Sequence, residues 1–152
     1  MRFARCAVRV AQNLERIGDS GCHIAKRLRL LRADGVAAAP FDIDALTAVA
    51  RISVHDALDA FMDPTVELAE RACQREPEMD AHFVALLMQL RARMQAAPDE
   101  VPYLLHVHSV MKYLEKVGDY VLNIGEQALF LATGRRMKFE QFQQLDRFLA
   151  KS

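Results

Sequence analysis

The heptapeptide Asn13-Leu14-Glu15-Arg16-Ile17-Gly18-Asp19 returns one hundred positions later as Tyr113-Leu114-Glu115-Lys116-Val117-Gly118-Asp119. Both copies lie in long stretches of helical apolar spacing, so the chain must build two long helices with related faces. Each copy sets Glu and Asp four residues apart, which puts both carboxylates on one helix face. Like charges at that spacing repel, at a cost of about 0.2–0.5 kcal/mol. The glycine before each aspartate costs about 1 kcal/mol against alanine inside a helix. The same two costs at the same offsets point to a retained purpose. A cation between the carboxylates would turn repulsion into attraction, and glycine would let another backbone come close.

The similarity extends past the heptapeptide. Leu14/Leu114, Glu15/Glu115, Gly18/Gly118, Asp19/Asp119 and Ile24/Ile124 are identical, and His23 aligns with Asn123. Val8, Ala11, Leu14, Ile17, Ile24, Leu28 and Leu31 predict a first helix over 2–34, with Gly35 as its C-cap. Residues 35–41 read as a linker. A second helix follows from Asp42 or Asp44, interrupted at Asp63-Pro64, with Asp63 as N-cap and Pro64 as the first residue of a new segment. Glu76-Pro77 reads as another break. A third helix is expected over 78–96, a fourth over 102–133 ending at Gly134, and a short amphipathic helix over 138–149. With no strand alternation and no hairpin signal, the expected fold is all-α, an antiparallel bundle of long helices joined by short loops.

Composition narrows the function. Lys+Arg and Asp+Glu both number 20, and that balance argues against a general nucleic-acid binder. Cys6, Cys22 and Cys73 are odd in number and lack a CxxC, so they read as reduced thiols of a cytoplasmic protein. No apolar run reaches the length of a membrane span. No Ser-His-Asp order, Gly-rich phosphate loop or HExxH is present. His106 and His108 diverge on a helix; His55 and His82 are isolated.

Glu15, Asp19, Glu115 and Asp119 are hard oxygen donors suited to magnesium, manganese or iron and, less selectively, zinc. His23 and Asn123, four residues past the aspartates, are candidate additional ligands. Opposed across a bundle, two such pairs would form a four-carboxylate cage of the kind that holds metals in helical bundles. The alternative is a solvated face, its acids matched by Arg16, Lys26, Lys112 and Lys116.

The segments LERIGDSGCHIAKR and YLEKVGDYVLNIGEQALFLATG resemble the PhoU family, whose two signatures read approximately LERIGDxAxNIAE. Asp56–Phe61 and Glu78-Met79-Asp80 resemble the middle helices of its second repeat. The resemblance covers about residues 1–134. It implies residues 1–35 as the last helix of a shortened first repeat, 42–134 as a complete second repeat, and 135–152 as an added tail. It also implies metal ions, iron or zinc, on Glu15, Asp19, Glu115 and Asp119. The implied role is non-enzymatic: negative regulation of phosphate uptake and phosphate-starvation signalling with a phosphate ABC transporter and its sensor histidine kinase. The membrane would then be met only through partners. His23 in place of the signature asparagine makes the two metal motifs inequivalent, and Thr65 stands where the family often has an acid. A first helix without its two repeat-mates leaves one side open, so a homodimer through Val8, Leu14, Ile17 and Leu28 is expected, with the tail phenylalanines as another possible cover. A di-iron-type enzyme and a metal-free structural bundle are the competing functions.

Overall fold

The computed structural model describes residues 1–33 and 41–149. The expected linker over 35–41 with its cap Gly35, Phe41 excepted, lies outside the described residues. So do residues 150–152 and the side chain of Phe148. The described chain forms six α-helices and a 3-10 turn: α1 (Arg2–Ala33), α2 (Asp44–Met62), α3 (Val66–Cys73), α4 (Arg75–Ala96), the turn Pro98–Glu100, α5 (Val101–Thr133) and α6 (Phe139–Leu149). No strand occurs among the described residues, and none of their helices is long and apolar enough to cross a membrane. The all-α expectation holds.

Two punctuation marks read differently in three dimensions. The N-cap of α3 is Thr65, whose hydroxyl accepts from the Leu68 N–H at 3.2 Å. Asp63 instead closes α2, so Pro64 stands before α3 rather than inside it. Pro77 breaks nothing. It is the third residue of α4, where a missing N–H leaves no helix bond unmade because the first turn's N–H groups have no helical acceptor. The interruption lies one turn earlier, at Gln74 between α3 and α4.

Helix α5 is the axis of the molecule: α1, α2, α3 and α4 all pack on it, and α1 also meets the end of α2 where Phe3 stacks on Phe61 at 5.5 Å. Leu104, Met111, Ile124 and Leu129 of α5 are fully buried, as are Leu46 of α2 and Met79 and Leu90 of α4. Each such side chain contributes about 1.5–3 kcal/mol by leaving water. A polar clamp joins the covering helices: buried Asp56 of α2 meets Arg71 at 3.1 Å and Arg75 at 2.8 Å. Arg75 also reaches Glu78 at 2.9 Å, and these acidic neighbours hold its guanidinium pKa above the usual value. Gly134 ends α5 in the left-handed conformation with φ 73°, the geometry glycine adopts without penalty.

Helix α1 runs antiparallel to α5. Arg2 lies over Phe130, Arg16 over Tyr120, and Arg27 bonds His106, so climbing one helix descends the other. The expected interface stripe on α1 divides between two faces. Leu14 and Ile17 pack with the core, joined by buried Cys6, Val10 and Leu31, while Val8 and Leu28 point outward. Val8 lies on nearly the opposite side of the helix from Val10 and Ile17, on the face that α5 does not cover. The tail's Phe139 and Phe142 join the main core beside α5.

Candidate metal centre

The antiparallel pairing sets the two acidic motifs at one level of the bundle, since Arg16 meets Tyr120 and His23 meets Tyr113. Their carboxylates nevertheless point different ways. Glu15 and Asp19 are exposed and make no ion pair among the described residues. Glu115 and Asp119 are partly buried, and each is bound to lysine. Lys112 donates to Glu115 at 3.1 Å, and Lys116 donates to Asp119 at 2.5 Å while lying 3.8 Å from Glu115. Asp119 in turn raises the Lys116 pKa through that hydrogen bond. The four carboxylates therefore form no single cage. Among the described residues no three His, Cys, Asp or Glu side chains stand together as a ready metal site.

The second motif faces acids that the sequence reading passed over. Glu76 and Asp80 of α4 repeat the Glu-x-x-x-Asp spacing. Burial holds the Glu76 carboxyl pKa above its ordinary value, and repulsion from Asp80, Asp119, Glu140 and Glu115 adds to the rise. Two acidic pairs on adjacent helices thus share one electrostatic neighbourhood, and α6 adds a fifth carboxylate. The signal was available in the spacing; reading Pro77 as a break hid it by denying that Glu76 and Asp80 share a helix.

The donor set suits a hard cation: oxygen ligands from two helices, with mutual repulsion that a cation would relieve. Lys112 and Lys116 supply that relief here. The first motif has no such opposing helix, and its carboxylates remain a pair on an open face.

The two candidate auxiliary ligands also part company. His23 stacks flat on Tyr113, ring centres 4.8 Å apart and planes 5° from parallel. Asn123 lines a groove with Arg9, Asn13, Arg16 and Gln127 of the α1–α5 seam. The motif glycines differ as well. A Cβ on Gly118 would come 3.3 Å from the Met79 sulfur, whereas one on Gly18 would meet nothing within 4 Å. The tightest approach belongs to Gly125, where a Cβ would stand 2.6 Å from Cys73 Sγ and 3.4 Å from the Cys73 backbone nitrogen.

Beside the acidic neighbourhood a wider groove runs between the end of α3 and helices α4, α5 and α6, lined by Cys73, Glu76, Leu122, Glu126 and Phe139 among others. Burial, with help from Glu126 and Glu70, pushes the Cys73 thiol up to about 12, so it stays protonated and inert at neutral pH.

The family model of the PhoU domain matches residues 43–128, which span α2 through most of α5. The chain is 31% identical over 138 residues to the "Phosphate-specific transport system accessory protein PhoU homolog" of Caulobacter vibrioides, covering 90% of this chain and 60% of that protein. It is 28% identical over 136 residues to the protein of that name from Rhizobium meliloti, covering 89% and 57%. With the Clostridium acetobutylicum protein, again so named, it shares 27% identity over 130 residues, 86% and 59% of the two lengths. The chain thus spans about 60% of the length of these curated relatives. No solved structure matches it.

Proposed function

The chain belongs to the PhoU family, and from that premise we propose that it is a non-enzymatic regulator of phosphate transport whose acidic helix pairs hold metal ions. Its relatives' names carry the transport role, and they support a phosphate ABC transporter as partner. The restraint of phosphate-starvation signalling through a sensor histidine kinase, and a cytoplasmic location with membrane contact only through partners, rest on the family resemblance. The proposed domain division makes α1 the last helix of a first repeat, residues 42–134 a second, complete one and 135–152 a tail. A homodimer is the proposed cover for the outward face of α1, and a monomer by light scattering would rule it out.

What supports the metal reading is that the Glu-x-x-x-Asp spacing of 115–119 recurs at 76–80, on helices α5 and α4 that pack together. Glu115 and Asp119 would hold the ion, in exchange for the lysine contacts. The bound metal would supply a fixed positive charge on the acidic surface; iron, zinc, manganese and magnesium all fit oxygen donors. Glu15 and Asp19 form a second and weaker site, with His23 nearest along the helix. Asn123 is a poorer candidate than its spacing suggests, because it faces two arginines. A di-iron-type enzyme is less well supported, since it needs both motifs to converge in the core.

Metal analysis of the purified chain tests this. The double variant Glu115→Ala, Asp119→Ala should lose most of the bound metal, and Glu15→Ala, Asp19→Ala should lose less. Equal metal content in wild type and both variants would overturn the reading. Helical circular dichroism should survive chelation, because apolar burial around α5 supports the bundle. For the regulatory role, deleting the gene should derepress a phosphate-starvation reporter, and an unchanged reporter would count against it.

A further inference from the structure

At seven-residue intervals from Arg2, the first four positions of α1 are basic, Arg2, Arg9, Arg16 and His23, and the fifth is Leu30. Three of the four meet an aromatic ring of α5. Arg2 lies over Phe130 at 5.4 Å, Arg16 over Tyr120 at 5.9 Å, and His23 stacks on Tyr113. Arg9 meets none among the described residues. It faces a groove completed by Gln12, Asn13 and Arg16 of α1 and by Asn123 and Gln127 of α5. That lining holds two guanidinium groups and four carboxamides and no acid. Neither Arg9 nor Arg16 has a carboxylate within ion-pair distance among the described residues.

A second observation falls on a residue of this lining. Gln127 Oε1 is the buried side-chain polar atom that lacks a hydrogen-bond partner among the described residues. Leaving such an atom unpaired is costly, and native structures seldom do so without a ligand or water. Asn123 and Gln127 each carry an amide NH2 donor among the groove's lining side chains. The adjoining recess adds Arg136 and Lys138. Its one acid, Glu126, already accepts from Lys138 Nζ at 3.1 Å and from the Phe139 N–H at 3.2 Å.

We propose that this groove binds a small tetrahedral oxyanion of the phosphate class, held between Arg9 and Arg16 and capped by the side-chain amides of Asn123 and Gln127. Guanidinium forks and amide N–H groups are donors that match such an ion from several directions. The site lies apart from the acidic neighbourhood of Glu76 and Glu115 and needs no metal, so it stands independently of the metal reading.

Calorimetric titration of inorganic phosphate into the metal-stripped chain, at low ionic strength in chloride buffer, tests the assignment. Saturable binding is expected, weakened about tenfold or more by Arg9→Gln and by Arg16→Gln with helical circular dichroism unchanged. Arg5→Gln, on the same helix but outside the lining, should leave affinity as it was. Sulfate should compete and succinate should not. Absence of binding would overturn the proposal, as would equal weakening by Arg5→Gln, which would mean diffuse charge attraction. Competition by succinate as strong as by sulfate would overturn the tetrahedral assignment. Phosphate binding that appears only after metal is restored would assign the ion to the acidic centre and remove it from the groove.

Discussion

In α5 the eight positions Leu104, Val107, Met111, Leu114, Gly118, Val121, Gly125 and Ala128, spaced by alternating threes and fours, are all buried. One hundred residues earlier, the matching positions of α1 are Ala4, Ala7, Ala11, Leu14, Gly18, Gly21, Ala25 and Leu28. Of these, only Ala7 and Leu14 are even half-buried. The two helices share a motif, a periodicity and nearly a length, yet one seam is the core of the molecule and the other faces outward. A seam becomes core only when other helices lie across it. For α5 these are α2, α3 and α4; for α1 the described residues provide only the end of α2, at Phe3. The acidic motifs follow the same division. Glu115 and Asp119 flank Gly118, against which α4 packs through Met79, whereas Glu15 and Asp19 flank Gly18, which has open space beside it.

Truncating the same residue type in the two seams should break the comparison most visibly. Leu114→Ala removes a side chain that is 7% exposed and should cost about 2–5 kcal/mol. Leu14→Ala, half-buried, should cost well under half of that. Chemical denaturation of the two variants decides, and equal losses would mean that α1's seam is covered in solution. Glycine gives the next largest contrast. Gly125→Ala drives a methyl group into Cys73 and should destabilise by about 1–3 kcal/mol. Gly18→Ala meets open space and should stabilise by about 1 kcal/mol, since alanine favours the helix. A Gly18→Ala variant that loses stability in the same denaturation series would show a close neighbour against α1. The smallest perturbation is chemical labelling. At pH 8, exposed Cys22 of α1 should react with iodoacetamide, while fully buried Cys6 and Cys73 resist until the chain unfolds. For Cys73 the pKa near 12 adds to burial, because almost no thiolate forms below about pH 11. Rapid labelling of Cys73 in the folded chain would contradict its packing against Gly125.

The helices were legible because their signal is local. Apolar spacing, the Gly134 cap and the proline-bounded turn before α5 each act within a turn or two of chain. Errors came where one residue type serves two purposes. Pro77 is compatible with a break and with a helix's first turn, and which applies depends on whether Gln74 or Glu76 ends the preceding segment. Asp63 and Thr65 both suit an N-cap, and the hydroxyl that reaches the Leu68 N–H took the position. The acidic motif at 115–119 was visible as spacing. Its facing pair at 76–80 was visible only as spacing too, and the packing of α4 on α5 set the two pairs on neighbouring helices.

The chain's own order of residues determined that two related long helices form, that each carries paired carboxylates on one face, and that an apolar seam runs along both. Hydrogen bonds and side-chain periodicity within single helices suffice for that. Which seam is buried, which carboxylates feel one another and where Arg9 points were decided only by the docking of whole helices. Burial and electrostatic coupling depend on what lies within a few ångströms across the bundle, and residues distant in the chain supply it.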